Sequence, residues 1–493
     1  MIRRLTGALL SLSLPVFCAE VEVLLTMIDT DDSRLAKSVL VLDEKKEGEG
    51  ALITIDRSQK FQSMLGYGAA LTHSSAALLM ELRSQDEAKY EAVLEQFFSI
   101  KKGAGFRVLR LAVGASDYVA TDGYWTYCDE PSPTLEGFTI ARDREAILPV
   151  LKDILKIAPD LRIIGTPWSA PAWMKENEKL IGVTFKEKEA GSFARLKRDS
   201  FHLYADYLIK FLKAYRGEGI EIYGLTLQNE PQNDLSDYPC MRMDGADQIR
   251  LVKALAPKLK NKKFSTQLFV HDHNWTLHPN DGSVIGGDKK EEPLAEVSQM
   301  LSDPTVADSI AGSAWHCYAG DSAKMKTVYQ GLTKKFPNKL ILTTEATAWG
   351  KNRGAWWSDI EWGMAHVWIR PQLEGSAAAL QWNLVLDQHS GPTPRHDSEG
   401  YGLVTFNTET KSLSYEREFY AMAQLSRAAL PDSQRIASNS TGGLDTIAFS
   451  LPDKRVSLVV FNRNGDSRSF RVGDGEPGFD YEIPGHSIAT FVW

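Results

Sequence analysis

Four cysteines in 493 residues are too few for a disulfide framework, and no CxxC or Cys/His metal spacing occurs. If Cys18 is removed, Cys128, Cys240 and Cys317 allow at most one disulfide, so stability must come from a buried core. Long apolar runs are missing as well: no stretch approaches the ~18 consecutive apolar residues a membrane-spanning helix requires. There is no basic tail or stripe. With 56 basic and 64 acidic side chains the net charge is −8, and nucleic acid is not an expected partner. No GxSxG marks a serine elbow, and Gly66-Tyr67-Gly68-Ala69-Ala70-Leu71 lacks the third glycine of a dinucleotide loop. What is present is an ordinary globular composition, 43% apolar and 24% charged, with twelve Trp and sixteen Tyr. Aromatic faces beside carboxylates and amides suit the apolar faces of sugars.

Residues 1–19 read MIRRLTGALLSLSLPVFCA. Two arginines, a short apolar stretch and a small Ala19 make the pattern of a secretory signal peptide, so a secreted or periplasmic location is expected. Cys18 offers a lipoprotein alternative, for which Val16-Phe17 is a weak lead-in. The chain then divides into N-terminal strands over 20–60, a catalytic region over 61–410 and a C-terminal part over 411–493.

Eight β-rich apolar runs, at 64–71, 108–113, 162–166, 222–227, 267–271, 310–316, 340–344 and 377–386, alternate with segments of helical periodicity. Those segments lie at 76–98, 144–157, 193–215, 246–259 and 323–336. Such alternation implies parallel βαβ units, and eight of them predict an α/β fold, a closed (β/α)₈ TIM barrel. A helix over 415–429 precedes short strands at 446–451, 456–461, 469–472, 481–483 and 487–493. With the strand-like runs 21–27, 39–42 and 51–55 these predict an appended antiparallel β-sandwich built from both chain ends.

Barrel enzymes place reactive groups at the C-terminal ends of strands. Gln228-Asn229-Glu230-Pro231 follows the fourth run and Thr344-Glu345 the seventh. Two glutamates so placed face one another across the barrel mouth. A retaining glycosidase needs such a pair about 5–5.5 Å apart, one as nucleophile and one as acid/base. The acid/base is expected to have its pKa raised by its charged partner, and Asn229 to bind a sugar 2-hydroxyl. Taken singly, a glutamate after a strand is a solvated loop residue, Arg110 and His316 are structural partners, and Trp168 and Trp173 are packing. His271-Asp272-His273 with His316 raises a zinc reading. Strand alternation sends His271 and His273 to one face and Asp272 to the other, splitting the ligands, so no metal is expected.

At these residues the sequence resembles glycoside hydrolase family 30, which contains glucosylceramidases and β-1,6-glucanases. The resemblance rests on Gly66–Thr72, Leu109-Arg110, Ala115-Ser116-Asp117-Tyr118, Trp125-Thr126-Tyr127 and Pro167–Lys175. It continues through Gln228–Pro231, His316-Cys317-Tyr318, Thr344-Glu345, Trp382-Asn383 and Pro484–Ser487. It implies a retaining barrel with a side β-sandwich, Glu230 as acid/base, Glu345 as nucleophile, and no metal or organic cofactor. Arg110, Asp117, Asn229, Tyr238, His316, Tyr318 and Asn383 match surroundings of the substrate, and Trp168 and Trp382 aromatic sugar contacts. His73 stands where glucosylceramidases carry an aspartate that grips the terminal glucose, which puts strict terminal-glucose recognition in question. The expected activity is hydrolysis of a β-glucoside resembling glucosylceramide. The alternatives are a β-1,6-glucanase, a sugar-binding barrel without turnover, and a metallohydrolase.

Overall fold

Strands that are buried on both faces read as unbroken apolar runs, and eight such runs close on one another here. The computed structural model describes residues 20–30, 34–43, 50–278, 281, 292–347, 356–395, 400–473 and 477–493; the expected signal peptide and Cys18 lie outside the described residues. Three strands come first: β1 (Glu20–Met27), β2 (Ala36–Val41) and β3 (Ala51–Ser63). The barrel strands are β4 (Gly66–Leu71), β5 (Val108–Val113), β6 (Arg162–Pro167), β7 (Gly224–Thr226), β8 (Gln267–Asn274), β9 (Gly312–His316), β10 (Leu340–Glu345) and β11 (Ser376–Gln381). All neighbours run parallel, and β11 pairs with β4 to close the ring. Leu65, Val108, Ile164, Phe269, Leu342 and Leu380 pack together in its lower interior.

The Gly-x-Gly of β4 serves this closure. Gly66 has φ 121°, and a Cβ on Gly68 would lie 1.7 Å from the carbonyl oxygen of Val108 on β5. Only glycine satisfies both positions.

Two local expectations in the barrel are corrected. The single helix over 76–98 is two, His73–Gln85 and Glu87–Phe98, because Asp86 leaves helical geometry (φ −156°) and caps the second by accepting from the Lys89 amide. The eighth strand stops at Gln381. Asn383 has φ 63°, and Val385–Asp387 (β12) leaves the barrel to pair with Val404–Phe406 (β13). Leu413–Tyr415 (β14) completes that small sheet.

The remaining strands are β15 (Gln434–Ser438), β16 (Leu444–Ser450), β17 (Val456–Asn462), β18 (Arg468–Gly473), β19 (Phe479–Ile483) and β20 (Ser487–Val492). The N-terminal strands join them: β1 pairs with β20, and the 13-residue β3 reaches both β15 and β18. The β3–β18 ladder is parallel, so the domain is not the purely antiparallel sandwich expected. Its core includes Val21, Ile53, Leu458, Phe470, Phe479 and Phe491. The helix Arg417–Ala428 ties it to the barrel through the buried Gln424 amide, which donates to Thr26 Oγ1 on β1 and accepts from Thr490 Oγ1 on β20. Cys128, Cys240 and Cys317 are buried and free. Among the described residues no helix is long and apolar enough to cross a membrane.

Candidate active site

Arg110 stands on β5 with no solvent exposure, and a buried guanidinium must satisfy its fork with charge or amide oxygens. Its NH1 donates to Glu345 Oε2 at the end of β10. Its NH2 donates to Asn229 Oδ1 at 2.7 Å and Asp272 Oδ2 at 2.9 Å. The guanidinium carbon lies 4.9 Å from the ring centre of Trp168 and 5.6 Å from that of Trp382, and the two indoles stack 5.2 Å apart. Two carboxylates, one carboxamide and one aromatic wall are thus organised around one cation.

Asp272 is the buried counterweight. It accepts from Thr226 Oγ1 and Thr344 Oγ1, each at 2.7 Å, as well as from Arg110. Burial alone would raise its carboxyl, but the Arg110 charge and these donors hold it far below the usual carboxylate range. Strand alternation had put Asp272 and His273 on opposite faces. The correction lies in the backbone: His271 (φ 77°) and Asp272 (φ 59°) break the pleat, with a register shift against β9. Asp272 and His273 both turn to the centre, while His271 Nε2 lies 3.0 Å from the Asn274 carbonyl oxygen. Glu230 (φ 43°) and Asn383 are strained in the same sense, so four left-handed non-glycine residues ring the barrel mouth.

The two glutamates occupy one cavity of ≈ 230 Å³, walled by Trp168, Trp382, Tyr238 and Tyr318 among others. Glu345 Oε1 accepts from Tyr318 Oη at 3.0 Å. Glu230 Oε2 accepts from Asn233 Nδ2 at 2.9 Å. His316 joins them: its Nδ1 is 3.1 Å from Glu230 Oε1 and its Nε2 is 3.9 Å from Glu345 Oε2. Burial lowers the His316 pKa, yet the Glu345 charge and the hydrogen bonds to Asp272 and Glu230 push it up to about 9. The converse holds for Glu230. Burial raises it, but the hydrogen bond from His316 and the charge of His273 prevail and hold it at about 2. This reverses the expectation of a raised glutamate. The proton belongs to the Glu230–His316 couple, and Glu345 acts on it through the imidazole.

Other expected site residues are placed differently. Asp117 and Asn229 line the cavity; Asn229 spends its oxygen on Arg110, which leaves its NH₂ for a ligand. Desolvation raises Asp117 to about 7 against its contact with Arg395 NH1 at 3.3 Å. His73 stands behind the wall, where its Nδ1 accepts from the Ala120 amide and its ring meets the edge of Trp125. Asn383 accepts from Thr72 Oγ1, the helix-capping hydroxyl, and lies outside the cavity lining. Asp272, His273, Asn233 and Arg395 escaped sequence reasoning. A run of His-Asp-His-Asn at a strand end was their one visible signal.

A glycosyl hydrolase family 30 TIM-barrel domain matches residues 64–428, which hold every one of these groups, and the family's β-sandwich domain matches residues 432–491. The chain belongs to glycosyl hydrolase family 30. Its family 30 relatives include lysosomal acid glucosylceramidase of Mus musculus, 26% identical over 93% of this chain and 87% of that one. Endo-1,6-β-D-glucanase BGN16.3 of Trichoderma harzianum is 28% identical over 87% and 84%. Among solved structures, the endo-β1,6-glucanase BT3312 superposes with a TM-score of 0.83 at 27% identity, covering 96% of this chain and 99% of its own. The protein is therefore a glycoside hydrolase.

In this family 30 barrel the buried Asp272 invites a direct test. Asp272→Asn removes one anion from Arg110 and turns an acceptor into a donor facing Thr226 or Thr344. We expect a loss of about 3 kcal/mol in urea unfolding, the cost of breaking a buried charge pair. Because folding lowers the Asp272 pKa, the stability it adds is present above pH ~4 and lost on acidification, so the wild-type and variant curves should converge at low pH.

Proposed function

We propose that the enzyme is a retaining β-glycosidase that hydrolyses β-linked glucosides by double displacement. Glu345 attacks the anomeric carbon as the aglycone oxygen departs with a proton from the Glu230–His316 couple. Water then adds from the face the aglycone left, gives its proton to Glu230, and releases Glu345 with the sugar configuration retained. Arg110 and Tyr318 hold the Glu345 carboxylate in place, and the Asn229 amide offers its NH₂ to the sugar 2-hydroxyl. The single observation that carries this reading is His316, one imidazole placed between two carboxylates of opposite duty. The signal-peptide pattern of residues 1–19 supports export.

The cavity rim favours a carbohydrate aglycone over a lipid one. Around the two glutamates stand Asp117, Arg395, His278 and Asp281, and among the described residues Leu235 is the one aliphatic side chain in the lining. Polyhydroxylated leaving groups satisfy such a rim, whereas acyl chains would desolvate it without return. We therefore place a β-1,6-glucan ahead of glucosylceramide as substrate. Turnover of a linear β-1,6-glucan at least tenfold above that of glucosylceramide in detergent supports this order, and the reverse ratio overturns it.

The proton couple sets the pH profile. His316 has its folded pKa raised to about 9 from an ordinary value near 6.5, so the couple keeps its proton below about pH 9. The kcat/KM is expected to fall on the alkaline side with a midpoint near 9. The stability this proton gives is full below pH ~6.5 and disappears as pH rises through 9. An alkaline limb centred near 5 would contradict the couple.

A further inference from the structure

His273 transfers no proton in the reaction proposed above, and beyond its charge beside Glu230 it is fixed in the cavity by further contacts. Its Nε2 lies 3.1 Å from Asp281 Oδ1, and Asp281 is itself fixed by the His278 amide at 2.7 Å. A carboxylate on Nε2 holds one ring proton there, so that Nδ1 is the nitrogen that faces Glu230 and offers its lone pair once its own proton is displaced. That Nδ1 is buried, makes no hydrogen bond, and lies 3.8 Å from Glu230 Oε1. His316 repeats the arrangement, with Nε2 3.3 Å from Asp272 Oδ1 and Nδ1 3.1 Å from the same Glu230 oxygen. Two imidazoles, each oriented from behind by a carboxylate, thus point Nδ1 at one oxygen. All three atoms lie within 4.8 Å of one another.

We propose that Glu230 Oε1, His273 Nδ1 and His316 Nδ1 form an inhibitory site for a divalent transition metal of the zinc class. The inhibition rests on the reading of Glu230 as acid/base; the site does not. A carboxylate behind each ligating histidine is the arrangement that fixes imidazoles on a metal. Two nitrogens and one oxygen suit zinc, copper or nickel, whereas calcium and magnesium ask for a shell of oxygens. Zinc bonds of about 2.0–2.2 Å put neighbouring ligand atoms about 3.3 Å apart. The Glu230–His316 edge is already there, the Glu230–His273 edge must close by roughly half an ångström, and the two nitrogens, within 4.8 Å of each other, must draw together with it. Local charge favours a cation, since Glu230, Glu345, Asp272 and Asp281 surround the position against Arg110, while Arg395 on the rim is paired with Asp117. A metal here displaces the protons on the two Nδ1 atoms to solvent, takes the lone pairs so freed together with Glu230 Oε1, and leaves its open position facing the cavity. It competes with substrate and stops proton transfer without any covalent change.

The test uses the full mature enzyme, stripped with EDTA and titrated with zinc chloride at fixed pH in a calorimeter, with aryl β-glucoside turnover read on the same samples. One zinc per chain, loss of at least nine-tenths of turnover at saturation, and recovery with EDTA are expected. His273→Ala and His273→Asn should each weaken zinc binding about 100-fold or more. Zinc-edge anomalous diffraction from soaked wild-type crystals locates the ion without any variant. No stoichiometric binding, unchanged affinity in both variants, or an anomalous peak elsewhere overturns the site. Zinc bound between these three residues with turnover intact leaves the site standing and overturns Glu230 as acid/base. Turnover that rises with zinc overturns the inhibition and double displacement together.

Discussion

Glu345→Ala is expected to lower kcat on an aryl β-glucoside by roughly 10⁴-fold or more, the scale seen when a covalent nucleophile is removed. Glu345 ends β10 with both oxygens engaged, one by Tyr318 and one by Arg110, so its carboxylate has one orientation toward the cavity. A solvated loop glutamate has no such constraint, and its loss would change little. Sodium azide separates the roles further. In Glu345→Ala, azide can enter the vacated space and displace the aglycone from the opposite face, giving an α-glucosyl azide. In Glu230→Ala the glycosyl-enzyme still forms from an activated aryl glucoside, and azide attacks it to give the β-glucosyl azide. Exchange of those two products would exchange the assignments.

The second large effect is expected at Arg110. Arg110→Met keeps the volume but leaves Asp272 and Glu345 buried without their shared cation, and frees Asn229 Oδ1. Breaking a buried ionic group by removing one partner costs about 3–5 kcal/mol. We expect that loss in urea unfolding and a fall in kcat of about 10³-fold, because the carboxylate that must attack is no longer held. Arg110→Lys restores one charge but not the planar fork that reaches Glu345 on one nitrogen and Asn229 with Asp272 on the other. It should regain much of the stability and little of the kcat. A methionine variant within tenfold of wild type would show that Arg110 merely fills the barrel wall.

Most of the barrel is legible because parallel strands bury both faces and announce themselves as apolar runs. What escaped detection are single residues that interrupt a pattern. Asp86 fits a long amphipathic helix by composition, yet its side chain caps the next helix and its backbone turns away. Asn383 continues an apolar run but adopts a left-handed conformation that ends the strand. Strand β15 was missed because only Ile436 and Ala437 are apolar in it, and its partner β3 lies almost 400 residues earlier.

The site divides along the same line. Trp168, Asn229, Glu230, His316, Tyr318, Glu345 and Trp382 stand at or just beyond strand ends, where a barrel needs only loops, and the fold brings them together around Arg110 inside β5. Asp272 stayed hidden because the rule of alternating faces holds only while the strand is regular. Two left-handed residues at the end of β8 suspend it. The same irregularity turns His273 toward Glu230, so the cavity's charge balance follows from a bulge that local sequence does not reveal. His73 shows the opposite case: a motif position that invited a substrate role is spent on a backbone amide.

The central claim is that Glu345 becomes covalently bound to the sugar. Incubation with a 2-deoxy-2-fluoro-β-glucoside carrying a good leaving group, followed by peptide mass spectrometry, tests it most directly. A single fluoroglucosyl adduct on Glu345, within the peptide that contains Thr344-Glu345, is the result expected. An adduct on another carboxylate, or none while the substrate is still turned over, would contradict it.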